Sequence, residues 1–171
     1  MRTSIGVVMC AAALVSGCGT VSGQAEPENP TASDPAFDPC EDIPDEAIRG
    51  IGMDPATEAR DILGVHQPGA HICQWSNATN SIAVLSTNYT LDDVRRNPDN
   101  EAMTEIEVGG RRALVYRVSW DSPERTCDIA FPSGAGTVSI TASEAGSGPV
   151  RQDPCLAVRQ STEALLAFIP E

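Results

Sequence analysis

Apolar and polar positions divide the chain into three stretches. Ile5 to Val15 is a continuous apolar run, preceded by Arg2 and followed by the small residues Ser16 and Gly17. A membrane-spanning helix needs about 20 apolar residues, so this run is too short to be one. A basic start, an apolar middle and a small-residue end form the layout of a secretory signal peptide. Gly19 to Ala36 has no apolar period and contains Pro27, Pro30 and Pro35, which predicts a flexible, partly extended tether reaching on the order of 25 Å. Periodic patterning begins at Phe37, so residues 37–171 are expected to form a single domain.

Within that domain the tripeptide Asp-Pro-Cys occurs twice, at Asp38-Pro39-Cys40 and at Asp153-Pro154-Cys155. Each reads as a helix start, with Asp as the cap and Pro at the first helical position. Pro44-Asp45-Glu46 opens a short helix whose inward face is Ala47, Ile48 and Ile51, ended by Gly50 and Gly52. Met53 to Ala70, with Pro55, Gly64, Pro68 and Gly69, reads as loop with room for one short strand. Ile72 to Ser76 and Ser81 to Thr87 are strands across a turn at Asn77-Ala78-Thr79-Asn80. Thr90-Leu91-Asp92-Asp93 has the form of a capping box, and its helix must stop before Pro98. Thr104 to Val108 and Arg111 to Val118 flank Gly109-Gly110, the signature of a hairpin. Arg125 to Phe131 and Thr137 to Thr141 are further strands around Pro132-Ser133-Gly134. A last helix carries Cys155, Val158, Thr162, Leu165 and Ile169 on one stripe and is closed by Pro170. No long helical crossover separates the strands. The pattern therefore predicts an α+β fold, a mainly antiparallel sheet of about six strands with N-terminal, middle and C-terminal helices packed on it.

The formal charge is −13, with eleven Arg and no Lys. Nucleic acid is excluded as an expected partner, because phosphate binding needs a basic surface. Anionic headgroups also repel such a domain, so any membrane affinity must come from lipid.

The run Leu14-Val15-Ser16-Gly17-Cys18 resembles the lipobox of bacterial lipoproteins. That resemblance implies cleavage before Cys18 and a diacylglycerol on its thiol, commonly with a further acyl chain on its amine. It divides the chain into a signal peptide over 1–17, a lipidated N-terminus and tether over 18–36, and the domain. The location implied is the extracytoplasmic face of a cell membrane. Two or more chains anchor stably where one holds only marginally.

Of the six cysteines, Cys10 leaves with the signal peptide and Cys18 takes the lipid, so Cys40, Cys73, Cys127 and Cys155 remain. Four cysteines in an exported domain point to two disulfides, with three connectivities possible. The repeated Asp-Pro-Cys favours one of them. A helix-start cysteine joined to a strand cysteine in each half gives Cys40–Cys73 and Cys127–Cys155. Each such bridge closes a loop of about 30 residues, worth roughly 3 to 4 kcal/mol in the chain-entropy model.

Phe37-Asp38-Pro39-Cys40, Ile72-Cys73-Gln74-Trp75, the run from Ser86 to Pro98, Val108-Gly109-Gly110-Arg111, Cys127-Asp128-Ile129-Ala130-Phe131-Pro132 and Asp153-Pro154-Cys155 together resemble the actinobacterial lipoproteins classed as domain of unknown function 3558. The resemblance implies an exported, lipid-anchored envelope protein with paired cysteines. It supplies no catalytic residues.

Candidate chemistry is sparse. There is no G-x-S-x-G elbow, H-E-x-x-H helix or Walker loop. His66 and His71, separated by Pro68 and Gly69, share no helical face and read as surface loop imidazoles. No CxxC spacing supports a zinc or redox site. Asn97, Asp99, Asn100 and Glu101 lack the spacing and glycine of a calcium loop and read as a solvated acidic turn. Arg95-Arg96 and Arg111-Arg112 are the basic doublets. Trp75, Trp120, Tyr89 and Tyr116 are expected to fill the core. The sequons at Asn77 and Asn88 carry no weight in a bacterial lipoprotein. No cofactor or metal is expected, and no catalytic residue. The expected function is a non-catalytic envelope lipoprotein that binds another protein or a cell-wall component. A carrier or sensor of a small apolar ligand, and an enzyme built on Asp and Glu side chains, are the competing readings.

Overall fold

The computed structural model describes residues 33–122, 124–146 and 149–171. The expected signal peptide, Cys18 and most of the expected tether lie outside the described residues. Both Asp-Pro-Cys motifs start helices. α1 (Pro39–Asp42) is capped by the Asp38 carboxylate, which accepts from the Cys40 amide at 3.0 Å, and α4 (Pro154–Leu165) by Asp153, which accepts from the Cys155 amide at 2.8 Å. α2 spans Asp45–Gly50. α3 (Leu91–Arg96) opens with the expected capping box, in which the Thr90 and Asp93 side chains each reach the other's backbone amide.

The sheet has seven strands: β1 (Asp54–Arg60), β2 (Ala70–Ser76), β3 (Asn80–Thr87), β4 (Asn100–Val108), β5 (Arg111–Val118), β6 (Thr126–Ser133) and β7 (Gly136–Glu144). Their order across the sheet is β1-β2-β3-β7-β6-β5-β4, and each neighbouring pair is antiparallel. The architecture is thus α+β, with one strand more than the pattern predicts. The additional strand, β1, falls in the stretch expected to be mainly loop. It is a sheet edge, all but one of its residues are exposed, and its pairing with β2 is irregular between Asp54 and Ala59. A strand with no buried face needs no alternation, which is why periodicity does not reveal it. Glu58 and Arg60 on this edge, and Glu101, Glu105 and Glu107 on β4 at the other, are charges of the kind that discourage edge-to-edge association.

One sheet face is covered by α1, α2 and α4. Trp75, Ile82, Val84, Ile129, Phe131 and Ile140 form its core with Val158 and Leu165. On the opposite face α3 packs against β4 and β6 over a smaller cluster of Leu91, Leu114, Tyr116 and Ala130. Two disulfides join the layers as expected: Cys40–Cys73 ties α1 to β2, and Cys127–Cys155 ties β6 to α4. Two aromatic expectations are corrected. Trp75 and Tyr116 are buried, but Trp120 is 76% and Tyr89 68% exposed, because both sit in connections beyond the strand ends rather than on a strand face.

The registers define two ends of the sheet. At one end lie the β6–β7 turn, the last residues of β3, the Gly109-Gly110 turn and the C-terminus, whose Glu171 carbonyl accepts from Gly134. At the other lie the β2–β3 turn, the end of β7 and the first turn of α4.

Candidate functional site

A cleft opens at this second end, between α2, α4 and the last residues of β7, with a volume of about 270 Å³. Its polar lining comes from Asn77, Asn80, Glu144, Gln152, Gln160 and Ser161. Met53, Ile82, Ala142 and Ala157 supply an apolar floor. Local structure sets each wall. The Asn77 side chain closes the β2–β3 turn by accepting from the amides of Thr79 and Asn80 and donating to the Gly52 carbonyl. Glu144 holds the backbone of Arg151 through both carboxylate oxygens, at 2.9 and 3.2 Å, and so fixes the approach to α4. Gln152 donates to Gln160 at 3.2 Å across one rim. Cys127–Cys155 pins the start of the helix that forms the wall. Carboxamides, hydroxyls and one carboxylate suit a ligand that offers hydroxyls and amides of its own.

A second polar group lies on the opposite sheet face. Asp128 is buried beside Tyr116, and Thr141 donates to its Oδ1 at 2.5 Å. Its Oδ2 has no hydrogen-bond partner among the described residues. Burial pushes the Asp128 carboxyl up to about 6 against the opposing Thr141 bond, and burial likewise pushes the Tyr116 hydroxyl up to about 12. The Asp121 carboxylate adds a smaller push in the same direction, and Arg117 opposes it.

The first end carries a different cluster. Asp34 Oδ1 accepts from the Gly69 amide at 2.9 Å, and His66 Nε2 lies 3.2 Å from Asp34 Oδ2. The Gly69 amide, followed by His66, holds the Asp34 carboxyl below the usual range. The expectation of two separate loop imidazoles is corrected: His71 lies on β2, and its ring centroid is 6.0 Å from that of His66. Nearby, Arg60 bonds Asp38 at 2.6 Å and Glu41 at 2.8 Å. These contacts fasten the incoming chain to the domain, and nothing in the polar pattern before Phe37 signalled them.

The remaining sequence candidates have structural partners. Cys40, Cys73 and Glu58 are the one trio among the described residues close enough to hold a cation, but its two sulfurs are bonded to each other. Asn97, Asp99, Asn100 and Glu101 do not converge: the Asn97 side chain accepts from the Asp99 amide, Asn100 donates to the Val94 carbonyl, and Asn100 and Glu101 begin β4. Arg95 bonds Asp92 and Glu105, and Arg96 bonds Asp93. Arg111 donates to the Ile169, Pro170 and Pro132 carbonyls and lies 5.0 Å from the Phe131 ring centroid.

No helix among the described residues is long and apolar enough to cross a membrane. No curated protein and no solved structure matches the chain. A family model described as a protein of unknown function, DUF3558, matches residues 13–167. The match takes in both Asp-Pro-Cys helix starts, all seven strands and both disulfides, and the chain belongs to the DUF3558 family.

Proposed function

We propose that this chain is a lipid-anchored envelope protein, held on the extracytoplasmic face of a membrane through Cys18, whose domain is a non-catalytic binding module. The pair of disulfides carries the reading, since such bonds persist in oxidising compartments outside the cytoplasm. The signal-peptide layout and the lipobox-like Leu14 to Cys18 run supply the route and the anchor. The cleft at the end of β7 is the binding site, and its amide and hydroxyl lining favours a polar wall fragment, glycan or peptide, over a small apolar ligand.

Two measurements test the two halves. Cys18→Ala in a producing cell is expected to move the protein from the membrane fraction to the medium; a variant that stays in the membrane contradicts the anchor. Titration of detergent-solubilised full-length protein with soluble disaccharide-peptide wall fragments is expected to give saturable binding that Ala164→Trp, which plugs the cleft from its exposed rim, abolishes. Equal heats for both proteins contradict the cleft.

A further inference from the structure

The loop from β1 to β2 ends in an apolar tip that the fold does not use. Ile62 is 56%, Leu63 98% and Val65 62% exposed. The tip is a tight turn in which the Val65 amide donates to the Ile62 carbonyl at 3.0 Å, with Leu63 at φ 55° and Gly64 at φ 75°. Two successive positive φ values are those of a type I′ turn, whose first central position favours Asn, Asp or Gly. A leucine there is strained, and its side chain stands in water. A polar residue would relieve both penalties, so the sequence retains Leu63 against its local preference.

The setting of the tip indicates what it meets. The turn lies at the end of the sheet where the chain from Cys18 joins the domain: Asp34 bonds Gly69 and His66, and Asn88 donates to the Ser33 carbonyl at 2.6 Å. The exposed Tyr89 is at this end too, and tyrosine is a residue that membrane interfaces favour. Cys18 is only sixteen positions before Asp34, so even a fully extended link spans no more than about 55 Å. A bilayer holding Cys18 is therefore always within reach of the tip, at high effective concentration.

We infer that Ile62, Leu63 and Val65 form a second membrane contact, dipping into the headgroup and acyl boundary of the bilayer that holds the lipid on Cys18. The inference rests on the anchor proposed above. Asp34, Asp38, Glu41, Glu58 and Asp61 lie around the loop, offset in part by Arg60. The contact is accordingly strongest on neutral lipid and weak without the anchor. Its consequence is orientation: the cleft at the opposite end of the sheet faces away from the membrane.

The test uses full-length protein from the producing cell, reconstituted in phosphatidylcholine vesicles with brominated acyl chains. Trp75 is buried and Trp120 is exposed near the far end, so wild-type emission is the internal control. Leu63→Trp in a Trp120→Phe background is expected to be blue-shifted and quenched by the brominated lipid, and wild-type Trp120 is not. Leu63→Asn keeps the protein folded, raises the melting midpoint by about 3 °C through relief of the turn, and lowers occupancy of the tip-inserted state about tenfold, read as loss of shielding of the loop from protease. The mass of the same sample separates the two ideas. An acylated protein whose Leu63→Trp emission matches that of water-exposed Trp120 overturns the tip and leaves the anchor standing; an unacylated product overturns both. Shielding of the loop in native envelopes but not in lipid vesicles assigns the tip to a protein and likewise overturns the membrane contact.

Discussion

The two ends of the sheet are built from opposite materials. Where the chain joins the domain, a strained turn holds three exposed aliphatic side chains above a belt of paired charges. At the other end, amides, hydroxyls and the Glu144 carboxylate line a cleft over an apolar floor, and its walls are held by side chains bonded to backbone. Each end also has its own covalent fastening. Cys40–Cys73 secures the first helix after the tether, and Cys127–Cys155 secures the helix that walls the cleft. Under the function proposed above, the contrast separates attachment from recognition, with one staple at each end.

The largest expected effect comes from cutting those staples. Their sequence separations of 33 and 28 residues give each a contribution of roughly 3.5 kcal/mol in the chain-entropy model. Replacing both cysteines of either pair by alanine should lower stability by that amount in chemical denaturation. Ligand binding at the cleft should be lost far more readily without Cys127–Cys155 than without Cys40–Cys73; equal losses would break the assignment of one staple to each end. Next in size is Gly136→Ala at the attachment end. A Cβ there would lie 1.9 Å from the Thr87 carbonyl oxygen, and backbone cannot move aside cheaply. A loss of about 3 kcal/mol is expected, measured by the same denaturation.

A smaller effect, with a pH signature, belongs to Asp128. Burial keeps its carboxyl protonated in the folded chain up to about 6, whereas the unfolded carboxyl releases its proton near 4. The fold therefore binds the extra proton between those values, and stability from this position is greatest below pH 4 and is lost as the pH rises from 4 through 6. Asp128→Asn, which keeps an acceptor for Thr141, should be roughly 2 to 3 kcal/mol more stable than wild type at pH 7 and close to it at pH 4. No difference at pH 7 would mean that the carboxylate is solvated in a way that its burial excludes. The smallest change is Thr90→Ala, which removes one half of the α3 capping box and should cost about 1 kcal/mol.

What the residues disclose in advance follows from how locally each feature is determined. The repeated Asp-Pro-Cys specifies two helix starts through an Asp cap and a Pro at the first position, and of three possible connectivities it favours the one the disulfides have. Gly109-Gly110 and Thr90 to Asp93 likewise encode their own turn and cap. β1 was hidden because an exposed edge strand carries no alternation. The cleft was hidden because Asn77, Glu144 and Gln160 are brought together from three distant segments by the sheet register, and none is unusual in its own neighbourhood. Trp120 and Tyr89 defeated the expectation of a buried aromatic because hydrophobicity alone does not distinguish a strand face from the connection beyond its end. Leu63-Gly64 between Ile62 and Val65 did carry a signal, a two-residue turn flanked by β-branched residues, but it lay within a stretch rich in Pro and Gly.

The proposed separation of attachment from recognition depends on lipid at Cys18, and the intact mass of the mature protein extracted from native membranes measures that directly. The expected product begins at Cys18, carries two or three acyl chains, and gains the mass of four hydrogens on reduction as its two disulfides open. A product that begins at another residue, or that begins at Cys18 without acyl chains, contradicts the account.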